Sequence, residues 1–174
     1  MDISHVLLNP KGRIGSRDFL RGLILLTAAG TILQVLAIAA SPGAVVLQYP
    51  MLWAYFCVLG KRLHDAGQTA WFNLLFLFGY LVAATILNAV LVPVLSPHMM
   101  PLMTQIQEIG QKDGLGGMLQ AQQEHALEIV RGTALPRLAS FLLASAGLAL
   151  VGARLPSDPD ANAHGPATRH PDAS

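Results

Sequence analysis

Charge is scarce in this chain. Only 12% of its 174 residues are charged, 53% are hydrophobic, and mean hydropathy is +0.50. A soluble domain usually carries about 25% charged residues. Half that fraction, clustered rather than spread, points to a bilayer. Lys and Arg number 11 against 10 Asp and Glu, so bulk charge predicts no nucleic-acid partner. Cysteine is nearly absent. Cys57 stands alone, which excludes an intramolecular disulfide and fits no zinc or redox motif. The histidines are scattered, with no pair at a ligand-like helical spacing, so no metal site is expected. No nucleophile elbow, HExxH, P-loop or CxxC occurs. No catalytic residue is therefore assigned, and no cofactor is expected. In the interior of the apolar runs, away from the opening turn at 71–73, the strongly polar side chains are Gln34, Gln48 and Asn88. None of them titrates, which argues against an ion or proton pathway, and no internal repeat suggests inverted halves.

What is present is a set of long apolar runs. Residues 23–40 and 71–95 contain no Asp, Glu, Lys or Arg, and 44–60 and 138–153 are similar. A spanning helix needs about 20 predominantly apolar residues. The first run could also be read as a signal peptide, because Ala37-Ile38-Ala39 resembles a cleavage site. Its length and the long, partly acidic segment before it favour an uncleaved span. Gln48 and Pro50 interrupt the second run, and proline there predicts a kink. Ser16 and Thr69 are candidate helix N-caps, with Ser41-Pro42-Gly43 as a turn. In the last run Ser145, Ala149 and Ala153 recur at every fourth position, which lets a neighbouring helix approach closely.

These patterns predict an all-α membrane protein of four transmembrane helices. Residues 1–21 form a cytoplasmic N-terminal segment. Residues 22–95 hold three spans with a cytoplasmic loop at 61–70. An extracytoplasmic amphipathic helical insertion follows at 96–137, its two segments separated by Gly114, Gly116 and Gly117. The fourth span is 138–154, and 155–174 reads as a disordered tail. Eight Lys and Arg fall on the side holding both termini and three on the other. The excess of positive charge makes the first side cytoplasmic.

Two polar patches share that side: 12–19, with Arg13 and Arg17, and 61–67, with Lys61, Arg62, His64 and Asp65. Arg13, Arg17, Lys61 and Arg62 form a basic cluster at head-group level. Each basic residue near an anionic leaflet is worth about 1 kcal/mol, and guanidinium forks suit phosphate oxygens. The expectation is a non-enzymatic protein whose cluster binds anionic lipid head groups or a partner protein, with a homo-oligomer as a further option. His64 and Asp65 read as structural or switch residues. Adjacent helical residues point roughly 100° apart, so Asp65 is expected to pair with Arg13 or Arg17 rather than with His64. The competing reading is a membrane-embedded enzyme acting on a lipid or lipid-linked phosphate, with His64 as general acid/base and Asp65 orienting it.

Gly12-Arg13-Ile14-Gly15-Ser16-Arg17-Asp18-Phe19, followed later by Lys61-Arg62-Leu63-His64-Asp65-Ala66-Gly67-Gln68-Thr69-Ala70-Trp71-Phe72, resembles small bacterial inner-membrane proteins catalogued as domain of unknown function 805. The family pattern looks like GRxxRxxFW near the start and RRLHDxGxSGWW between the second and third spans. The resemblance covers roughly residues 8–95. Ser16 shifts Arg17 relative to the second arginine, Leu20 replaces an aromatic, Lys61 replaces an arginine, and Thr69-Ala70 replaces Ser-Gly. The resemblance implies a multi-pass bacterial inner-membrane protein and no particular activity.

Overall fold

The computed structural model describes residues 2–39, 46 and 48–168. The expected turn at 41–43 and the last part of the expected tail, 169–174, lie outside the described residues. Helices dominate: α1 Ile3–Leu8, α2 Ser16–Ala39, α3 Gln48–Asp65, α4 Asn73–Leu95, α5 Met100–Glu124, α6 Ala126–Gly132 and α7 Ala134–Ala153. Short 3-10 turns precede α4 and α5. Among the described residues the only β feature is a single antiparallel bridge between Asn162 and Gly165.

Among the described residues, three helices are long and apolar enough to cross a membrane: 16–39, 70–95 and 134–153. The α3 helix does not meet the same measure, because its last turn carries Lys61, Arg62 and Asp65. It nonetheless packs along α2, and α4 packs along α7. The start of α2, the end of α3 and the end of α7 meet at one end of the bundle. Ser16 Oγ donates to Ala153 O at 3.3 Å, and Arg62 Nε donates to Gly152 O at 2.9 Å. The start of α4 joins them through Asn73 Nδ2, which donates to Phe56 O at 3.2 Å. The helices α2, α3, α4 and α7 therefore alternate in direction.

The apolar core sits near the same end. Val6, Phe19, Leu23, Leu26, Ala54, Val58 and Leu59 are buried together, drawn from α1, α2 and α3. Outward apolar side chains are plentiful, including Leu75, Phe78 and Ile86 on α4 and Leu143 and Val151 on α7. That pattern is expected where the surroundings are hydrocarbon.

Several local expectations change. The segment 61–65 is not loop but the last turn of α3. Its stop is a Schellman motif: Gln68 N donates to Leu63 O at 2.9 Å and Gly67 N to His64 O at 3.1 Å. The motif places Gly67 at φ +69°, which glycine adopts without a Cβ penalty. Pro50 falls in the first turn of α3, where its missing N–H would have lacked a helical partner anyway. Ser16 spends its hydroxyl on α7 rather than on capping α2, and Thr69 makes no side-chain capping bond. The break between the two amphipathic segments falls at Gly114, at φ 71° and ψ −166° inside α5.

Candidate functional site

The meeting point of α1, α3 and α7 concentrates helix C-termini. The last four carbonyls of any helix lack helical partners and carry the negative end of its dipole. Basic side chains in the last turn of α3 reach these groups. Lys61 Nζ donates to Val6 O at 2.8 Å and also to His5 O, both in α1. Arg62 Nε donates to Gly152 O, and Arg62 Nη2 to Ala153 O at 3.4 Å, at the end of α7. Arg62 Nη2 donates to Leu155 O as well.

Asp65 sits at the centre. Its Oδ2 accepts from Arg62 Nη1 at 2.5 Å, and its Oδ1 accepts from Arg13 Nε at 3.2 Å. The side chains of Arg13, Arg62 and Asp65 are each 1% exposed or less. One carboxylate against Arg13, Lys61 and Arg62 leaves an excess of positive charge. The negative ends of α1, α3 and α7 offset it, so the burial of these cations is electrostatically coherent.

The segment after α7 completes the site. Arg13 Nη1 donates to Asp160 O at 2.7 Å, and Arg13 Nη2 to Asp158 O at 2.5 Å. Arg62 Nη1 donates to Ser157 Oγ at 2.8 Å. Asp158 N donates to Asp65 O at 2.7 Å, and Thr168 Oγ1 to Asp65 Oδ1 at 2.6 Å. Residues 155–168 thus follow a fixed path over the site, where composition had suggested a disordered tail. The low complexity of that stretch gives it no core of its own; two arginines supply the partners its backbone needs.

His64 lies one helical step from Asp65 and makes no bond to it. Its Nδ1 is 3.1 Å from Gly12 O. A carbonyl only accepts, so Nδ1 carries the proton. The ring stacks on His164, with centroids 3.9 Å apart and planes 3° from parallel, and Asn162 Nδ2 donates to His64 O at 3.1 Å. Burial pushes the His64 imidazole below its usual value, the Gly12 carbonyl draws it up, and His164 pushes it down again.

The structure therefore joins Arg13, Lys61, Arg62, His64 and Asp65 in one site. Arg17 stays apart: it is exposed and has no hydrogen bond or ion pair among the described residues. Sequence reasoning missed the α1 carbonyls and Ser157, Asp158, Asp160, Asn162, His164 and Thr168. No motif in the tail announced them. No cluster of three or more metal-ligating side chains occurs among the described residues.

A family model described as "Protein of unknown function (DUF805)" matches residues 7–166. The match runs past residue 95, through α5, α6 and α7 and over most of the segment that covers the site. No match was found among curated proteins or among solved structures. A match over most of the length, with both polar patches inside it, shows that this chain belongs to the DUF805 family.

Proposed function

We propose that this protein is a non-catalytic, four-span protein of the bacterial inner membrane whose arginine clasp holds a non-helical peptide segment at the cytoplasmic surface. In this chain the occupant is its own residues 155–168. A partner protein binds by offering an equivalent segment when the tail leaves. One observation carries this reading: beyond the end of α7, donors of Arg13 and Arg62 go to backbone carbonyls along the segment, at Leu155, Asp158, Asp160 and Gly165. Backbone carbonyls are common to every peptide, and capture through main-chain bonds is a recurrent mode of peptide recognition.

In this reading the apolar part of α3 is the fourth span. It runs antiparallel to α2. The whole helix, Gln48–Asp65, extends about 27 Å at about 1.5 Å per residue, and its apolar part, 48–60, about 20 Å of that. The clasp end is cytoplasmic by the distribution of basic residues, and α5 and α6 lie on the opposite side. Of the cations that the sequence selected for lipid head groups, Arg17 alone is exposed. Arg13, Lys61 and Arg62 are buried, while Lys11, Arg17, Arg21 and Arg154 are exposed and suit an anionic leaflet.

The test removes residues 156–174 and adds a labelled peptide of sequence 155–168. The shortened protein is expected to bind the peptide and the full chain to exclude it, by fluorescence anisotropy in detergent. Arg13→Ala should abolish the binding. A shortened protein that keeps its helix content and ignores the peptide would sink the proposal.

A further inference from the structure

Between the long helices lies a cavity of about 220 Å³, walled mainly by apolar and aromatic side chains such as Leu59, Leu77, Tyr80 and Phe141. Gln34 and Gln48 also line it. Asn73 Oδ1 and Tyr55 Oη are buried without a hydrogen-bond partner among the described residues, and both residues line the cavity. Asn73 is only 4% exposed. Its amide nitrogen is committed to Phe56 O at 3.2 Å, which fixes the side chain and leaves Oδ1 as a pure acceptor. A buried acceptor without a donor is destabilising, because it has lost its bond to water and gained none in return. Asn73 opens α4 and so marks the end of the cavity near the clasp, whereas Gln48, which opens α3, lines the far end.

The chemistry required of an occupant is narrow. It must fill an apolar space open to membrane lipid and bring a hydrogen-bond donor to Asn73. The ester region of an ordinary phospholipid offers acceptors only and does not meet this need. A hydroxyl gives one hydrogen bond and accepts others, so it suits Asn73 Oδ1 and the Tyr55 hydroxyl alike. We propose that the cavity binds a lipophile with one apolar chain ending in a hydroxyl, such as a long-chain or prenyl alcohol. The hydroxyl sits at Asn73, near the membrane surface, and the chain runs between the helices toward the bilayer centre. The site is independent of the peptide clasp.

The test uses the full chain in phosphatidylcholine nanodiscs. The probe is hexadecan-1-ol carrying a mid-chain diazirine, compared with its methyl ether. The alcohol is expected to label the segments around Leu59 and Leu77 saturably. It should exceed the ether by about fivefold, the ratio that one net hydrogen bond of about 1 kcal/mol supports. Asn73→Leu should bring the alcohol down to the level of the ether, and Leu77→Trp, which fills the space, should remove labelling by both. Equal labelling by alcohol and ether, or labelling that never saturates, would mean ordinary lipid partition and would overturn the proposal. Retained alcohol preference in Asn73→Leu, with helix content intact, would also overturn it.

Discussion

The two ends of this molecule treat polar residues in opposite ways. At the clasp, Arg13, Lys61, Arg62 and Asp65 are buried and hydrogen-bonded to one another, to backbone carbonyls, or to both. In α5, on the far side of the bundle, Glu108, Lys112 and Asp113 are exposed, while Ile106 and Ala121 point inward. The α5 helix is amphipathic in the ordinary sense, and its charges are solvated. The clasp is a polar core. A charge taken from water must find partners, so each member of the clasp constrains several others. A charge on α5 constrains almost nothing. Charged side chains in this chain thus carry very different weights, and the difference is set by burial rather than by residue type.

The sharpest way to break the contrast is Asp65→Ala. It strands Arg13 and Arg62 without their shared carboxylate, and removing one partner of a buried ion pair costs about 3–5 kcal/mol. The expected outcome is a large fall in the unfolding midpoint in detergent and in the protein level in membranes. Replacing the whole network with apolar residues of similar volume should cost much less, because no charge is left unpaired.

A purely steric disturbance at the same end should rank next. A Cβ at Gly152 runs into the ring of Phe19, which is fully buried. Gly152→Ala is expected to cost about 1–3 kcal/mol, as overpacking does. Thermal unfolding measures it, and Phe19→Leu should rescue part of the loss.

Acidity offers a graded test. Burial holds the His64 imidazole below its ordinary value while the segment at His164 covers it. The uncovered ring takes up a proton first, so the closed arrangement loses stability as pH falls through about 6.5, the unperturbed value. At pH 7.5 the His64 ring is neutral and the closed form keeps its full advantage. A spin label introduced by Ala167→Cys should become more mobile between pH 7.5 and 5.5, and His64→Gln should flatten the response.

The smallest effect is expected on α5. Gln111 is exposed and has no partner among the described residues. Gln111→Ala should change stability by no more than about 0.5 kcal/mol, measured in the same melt as Asp65→Ala. An effect approaching that of Asp65→Ala would erase the distinction between the two regions.

Much of the architecture was legible beforehand. The charge-free stretches in α2 and α4 can satisfy their backbone in hydrocarbon only as helices, so composition alone settles them. That Asp65 pairs with an arginine of the N-terminal patch, Arg13 or Arg17, was also readable, because neighbours on a helix diverge and His64 could not be the natural partner; the structure selects Arg13. The second arginine on Asp65 lies three residues earlier, a spacing that faces it on the helix, though the sequence pointed to lipid for it instead. The helix around Lys61 and Arg62 was masked by their charge, since a cluster of polar residues reads as loop unless its partners are visible. The α1 helix was masked by its length, as six residues carry little periodic signal.

The sequence by itself determined the material of this protein: apolar helices, one amphipathic arm, and two polar patches on one side. Only the tertiary structure decided that Arg13, Lys61 and Arg62 face inward while Arg17 faces out. That choice depends on where the orphan carbonyls of α1 and α7 come to rest, and they arrive from positions about 55 and 90 residues away along the chain. The tertiary structure also decided that 155–168 is ordered. Its backbone is held by donors that belong to other helices, and no local pattern in Pro, Asp, Ala and Gly can encode a partner that far away.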